Sequence, residues 1–120
     1  MHGLSERVDL NFLTDREVQQ IAIGVYEVIF SFDEDVAITA YSEFRFFDGQ
    51  EEWVWKPDPG ATQIAGRTLS LLGAKIESLE RQENSALCLE FSNRQRLIIL
   101  DSSKEHESYD ITRPGSTIVV

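Results

Sequence analysis

A strand unit written twice constrains this chain more than any other feature. Leu13, Val18 and Ile21 fall onto Leu71, Ile76 and Leu79 at a spacing of 58. Phe32, Ile38 and Ala40 fall onto Phe91, Leu97 and Ile99 at a spacing of 59, so one residue is added within the first hairpin. Each copy alternates apolar and polar residues with the period of a half-buried strand. The first reads Val18 to Ile23, Tyr26 to Phe32 and Val36 to Tyr41, with an acidic turn at Asp33 to Asp35. The second reads Lys75 to Glu80, Ala86 to Phe91 and Gln95 to Leu100, turning at Ser92 to Arg94. β-Branched and aromatic residues fill both sets, as a pleated, half-buried surface favours.

The repeat also settles a local ambiguity. Thr14 to Glu17 reads Thr-Asp-Arg-Glu and has the form of a capping box that could open a helix. Its counterpart, Leu72 to Lys75, offers no such cap and leads into a strand, so Thr14 to Glu17 is read as a turn.

Different material joins the copies. An Asp48-Gly49 turn flanked by aromatic strands, Phe44 to Phe47 and Trp53 to Trp55, reads as a hairpin spanning about 43–56. After the break at Lys56 to Gly60, Ala61, Ile64, Ala65, Thr68, Leu69 and Leu72 fall on one helical stripe, predicting a helix over about 60–72 that covers the sheet. Gly73 stands where a C-cap glycine would. The chain ends in "SYDI", an Arg-Pro-Gly turn and "STIVV". The expectation is one α+β domain over 1–120, a mostly antiparallel β-sheet built from pseudo-symmetric units at about 13–42 and 71–101.

Composition bounds the function. With 120 residues the chain can bury a core without staples. Its 21 acidic residues against 11 Lys and Arg leave a net charge of −10, which repels phosphate backbones and anionic membranes. Nucleic acid and membrane are therefore excluded as partners, and a basic protein is favoured; acidity that only maintains solubility is the plainer reading. The single cysteine, Cys88, lies in an apolar run and is read as a buried thiol. The first residues lack a basic end followed by an apolar stretch, and no run reaches the length of a membrane span, so a soluble, cytoplasmic protein is expected.

The succession "LSLLGAKIESL", "LCLEF", "RLIILD", "HESYDI" and "RPGSTIVV" resembles a family of small bacterial domains of unknown function. The resemblance extends over Val18 to Val120 and includes "ITAYSEF" and Pro57. This chain has His106 where that pattern more often has Tyr, and Asn93-Arg94 where Asp-Gly usually turns the hairpin. The likeness implies a helix, a hairpin and a terminal strand, brings no catalytic residues, and is accompanied by a looser likeness to bacterial immunity proteins.

Two places are rich enough to carry a site. Asp101 to Asp110 crowds Asp101, Glu105, His106, Glu107, Tyr109 and Asp110 into ten residues. A metal needs several ligands converging at bonding distance. Glu105 and Glu107 point to one face of an extended chain and His106 to the other, and the second histidine, His2, stands at the far end of the sequence. Neither a metal nor a cofactor is expected. Motifs for phosphate binding, nucleophilic catalysis and zinc hydrolysis are missing, so no enzyme is expected. Asp101, His106 and Glu107, with Ser42 and Glu43 from the matching strand end, remain a candidate ligand site. Glu107 shares the parity of Tyr109 and Ile111, and buried there it would need Arg113, Arg96 or a backbone donor.

The second place is the middle hairpin, with Phe44, Phe46, Phe47, Trp53 and Trp55 beside Asp48, Glu51 and Glu52. Aromatics among acids suit recognition of a basic protein, while packing under the helix as core is the plainer reading of the same rings. The leading expectation is a non-enzymatic acidic interaction module, an immunity- or antitoxin-like inhibitor of a basic toxin, binding through Phe44, Phe46, Asp48, Glu51, Glu52, Trp53 and Trp55. The alternatives are a ligand- or metal-binding protein at the strand ends and a homodimer pairing through a terminal strand.

Overall fold

The computed structural model describes residues 3–5, 7–103 and 106–120. Among them ten strands run β1 Val18–Ile23, β2 Val28–Phe32, β3 Ala37–Ala40, β4 Phe44–Phe47, β5 Glu52–Trp55, β6 Ile76–Arg81, β7 Leu87–Phe91, β8 Arg96–Ile99, β9 Tyr109–Arg113 and β10 Ser116–Val119. All pairings between them are antiparallel, and the fold is α+β.

The strands fall into two sheets of five, in the orders β1-β2-β3-β9-β10 and β5-β4-β8-β7-β6. Each three-strand unit keeps its own meander and takes its outer hairpin from the other half of the chain. The aromatic hairpin β4-β5 crosses to pair with β8, and β9-β10 crosses back to pair with β3. The register obeys the repeat: β1 pairs β2 as Val18↔Phe32 with a bulge before Gln20, and β6 pairs β7 as Ile76↔Phe91 with a bulge before Ser78. The crossed hairpins correspond at a spacing of 65, Phe44 to Tyr109 and Trp55 to Val120, through their pairs Phe44↔Ile99 and Tyr109↔Ala40.

The two halves meet at an antiparallel bridge between Glu17 and Lys75, which are themselves counterparts. Around it the bonds are reciprocal: Asp15 N–H donates to the Ile76 carbonyl as Gly73 N–H donates to that of Val18, both at 2.8 Å. Asp15 and Gly73 both adopt positive φ, +68° and +86°, so Asp15 bears the left-handed strain that glycine avoids. Thr14 to Glu17 thus form a turn into β1.

Both inner faces share one apolar core. The rows Ile21–Phe30–Ile38–Ile111–Ile118 and Leu79–Leu89–Leu97–Phe46–Trp53 look toward each other, and the Phe30 and Phe44 rings meet edge-on at 5.6 Å across the sheets. Each fully buried side chain of this size contributes about 1.5–3 kcal/mol relative to exposure.

The helical segment spans 59–71 as a 3-10 turn Pro59–Ala61, an α-helical turn α1 Thr62–Gly66, and a 3-10 stretch Arg67–Leu71. Its buried stripe is Ala61, Ala65, Thr68 and Leu71, whereas Leu69 and Leu72 are exposed. This corrects the expected stripe. After Gly66 the helix tightens to three residues per turn, so Ala65, Thr68 and Leu71 eclipse one another and Leu69 rotates outward.

Candidate functional site

The aromatic hairpin turns most of its rings inward. Phe44, Phe46 and Trp55 are fully buried, with Phe44 stacked on Trp55 at 5.0 Å. These three belong to the core and not to a contact face, because Phe44↔Trp55 and Phe46↔Trp53 are the inward cross-strand pairs. Phe47, one residue on, faces outward beneath the Arg96 guanidinium at 5.2 Å. Trp53 is half-buried; its indole N–H donates to Asp48 Oδ2 at 3.0 Å, and the Arg67 guanidinium lies 3.7 Å over its ring. Asp48 also accepts from the Gln50 and Glu51 N–H groups, each at 2.8 Å. These donors, Glu51 and Trp53 foremost, hold its carboxyl below the ordinary range. Only Glu51 and Glu52 of this group stand exposed, and Arg67 and Arg94 line the adjoining cleft with Asp48. The hairpin end is therefore of mixed charge, not acidic.

The strand-end residues divide. Ser42 is buried and bonds the Ser102 hydroxyl; Asp101 Oδ1 accepts from Ser108 Oγ at 2.7 Å; Glu43 pairs with Arg45 at 3.6 Å and Lys56 at 3.9 Å. These three are engaged in holding the ends of β3 and β8. Ser108 and Tyr109 are both buried and β9 begins only at Tyr109, so the strand alternation does not reach back to Glu107. Glu107 is half-buried, and neither Arg113, which lies over Phe12, nor Arg96 pairs with it. Glu105 and His2 lie outside the described residues.

His106 and Glu107 instead line a depression of about 500 Å³ with Tyr26, Tyr41, Pro57 and Ser103. Tyr26 comes from the β1–β2 loop, Tyr41 from the residue after β3, Pro57 from the segment after β5, and Ser103, His106 and Glu107 from between β8 and β9. The Tyr41 hydroxyl donates to Asp110 Oδ2 at 3.0 Å. Burial, that hydrogen bond and the charges of Asp110, Glu107 and Glu27 push the Tyr41 hydroxyl up to about 12. Tyr26, 63% exposed, and Tyr41 were not singled out by sequence. The repeat held the signal, since the loop Gly24–Glu27 answers to Gln82–Ala86, where no aromatic stands.

From this depression the outer face of the first sheet extends. Its rows are Gln20–Ser31–Ala37–Thr112–Thr117 and Ala22–Ile29–Thr39–Asp110–Val119, with one ionisable side chain among ten. The counterparts on the second sheet are Ser78–Glu90–Arg96–Phe47–Glu52 and Glu80–Cys88–Ile98–Arg45–Val54, five of them charged. Acidic residues stand at both ends of the first face: Glu34 and Asp35 at the β2–β3 turn, beside Asp33, which is paired with Arg16 at 3.6 Å, and Glu27 and Glu107 at the other. Cys88 is buried on the second sheet, and burial raises its thiol.

Residues 10–120 match the model of a family of unknown function (DUF6188). The chain belongs to that family. No curated protein and no solved structure matches it. Among the described residues no three His, Cys, Asp or Glu side chains gather as metal ligands would, and no helix is long and apolar enough to cross a membrane.

Proposed function

We propose that this protein is a non-enzymatic, cytoplasmic binding module for a basic protein, of the immunity or antitoxin kind, and that its contact face is the outer face of the first sheet. The difference in charge between two faces related by the internal repeat carries this reading. Solvation alone would treat both faces alike. Interface centres are depleted of charge and their rims are polar. The first sheet offers that arrangement, with small residues in the middle and carboxylates at both ends. The net charge of −10 favours a positively charged partner and makes its capture sensitive to salt.

Ala37 and Arg96 are counterparts on the two outer faces, which supplies the test. Ala37→Arg should weaken capture of a basic protein from native lysate at least about tenfold, the effect of about 1.4 kcal/mol, while Arg96→Ala leaves it unchanged. Capture that survives Ala37→Arg and fails with Arg96→Ala would place the interface on the wrong sheet.

A further inference from the structure

Five aromatic side chains among the described residues are not buried: Phe12, Tyr26, Tyr41, Phe47 and Trp53. Three already carry a guanidinium. Arg67 lies over Trp53 at 3.7 Å, Arg113 over Phe12 at 4.6 Å and Arg96 over Phe47 at 5.2 Å. At Trp53 the arrangement includes a carboxylate, Asp48, on the indole N–H. The two rings without such a cap are the tyrosines, and both line the same depression with Glu107.

The geometry points to this depression as the seat of one arginine side chain presented by the basic partner, a statement that rests on the function proposed above. A guanidinium stacks on aromatic faces and is weakly hydrated, so it enters a half-buried aromatic site at less cost than an ammonium. Glu107 stands on the wall, with Glu27 and Asp110 near enough to act on Tyr41. Among the described residues no Lys or Arg pairs with any of the three. The internal repeat argues the same way. In the second half the corresponding loop is covered by the chain itself: Leu4 N–H donates to Ser85 Oγ at 2.9 Å, and the Arg81 guanidinium donates to the Ser5 carbonyl. Among the described residues no such backbone contact covers the first-half loop, and Tyr26 stands there.

N-acetyl-arginine amide is the probe, titrated into the full chain while the tyrosine ring and His106 signals are followed by NMR. Saturable shifts confined to Tyr26, Tyr41 and His106 are expected in the millimolar range. Tyr26→Ala and Glu107→Gln should each weaken binding about two- to fivefold, and Glu83→Gln should leave it unchanged. N-acetyl-lysine amide should bind more weakly. Equal binding of the lysine amide, shifts spread over the acidic surface, or no saturation would each overturn the assignment. Occupancy by the arginine amide without a captured basic protein would sink the proposed function and leave this site standing. Capture of such a protein without occupancy would do the reverse.

Discussion

The outer faces of the two sheets descend from the same strand plan and present opposite surfaces. On the second sheet Glu80, Glu90, Arg96, Arg45 and Glu52 spread both signs of charge across the strands, as a solvated face does. At the same ten positions the first sheet keeps Asp110 alone, and that carboxylate is bonded to Tyr41. The inner faces show no such divergence: both are apolar and both close on a large ring, Phe44 in one sheet and Tyr109 in the other. What the repeat preserves is packing, and what it lets diverge is the surface.

The largest expected effect concerns the shared inner plan. Phe44→Ala and its counterpart Tyr109→Ala should each cost about 3–5 kcal/mol in denaturant unfolding. If Phe44→Ala instead left stability intact and weakened partner binding, the hairpin rings would be contacts and the comparison would fail at its root. Tyr109 also donates its hydroxyl to the Ser85 carbonyl at 2.8 Å, so Tyr109→Phe isolates that bond, worth about 0.5–1.5 kcal/mol.

Smaller effects belong to the second sheet's end of the molecule. Removing the Arg67 cap should cost about 0.5–1 kcal/mol and shift the Trp53 emission without changing partner affinity. A tenfold loss of affinity in Arg67→Ala would return the contact face to the hairpin. The smallest effect is a pH dependence at the first sheet's depression. Tyr41 has an ordinary value of 10.0 and a folded value of about 12. Its contribution to stability is therefore complete below pH 10 and lost as pH rises toward 12. Tyr41→Phe should flatten part of the alkaline fall in stability measured by thermal melts; an unchanged profile would mean that Tyr41 does not feel the three carboxylates. Tyr109, also raised by burial, keeps its own share of the fall.

Much of this architecture was readable in the chain because alternation and turn chemistry are local. The strands Val18–Ile23 and Phe44–Phe47 match their sequence bounds, and a 58-residue spacing places the bulges of β1 and β6 at counterpart positions. The crossing of the hairpins between sheets was not readable. A hairpin's outer partner is chosen by long-range packing, and Phe44 carries nothing that prefers Ile99 to a strand of its own half. The helix face turned because Arg67–Leu71 adopts 3-10 geometry, which a 3.6-residue period does not anticipate. Among site residues, Glu107 and His106 do line a depression, while Ser42, Glu43 and Asp101 are spent on structure. The alternation places Tyr26 at the start of a strand, whereas β2 begins at Val28 and Tyr26 stands exposed in the loop before it; only the repeat, with no aromatic in Gln82–Ala86, marks it.

Val54 and Val119 close the most direct test. They occupy the same place on the outer edge strands of the two sheets, 39% and 38% exposed, and substitution there should alter stability by only about 0.5 kcal/mol. Capture from native lysate at low and high salt would be run in parallel with the unaltered chain, Val54→Arg and Val119→Arg. The account predicts one basic protein, released by salt, held by the unaltered chain and by Val54→Arg and lost from Val119→Arg. Equal capture by both variants, loss from Val54→Arg alone, or no basic protein with any of the three would contradict it.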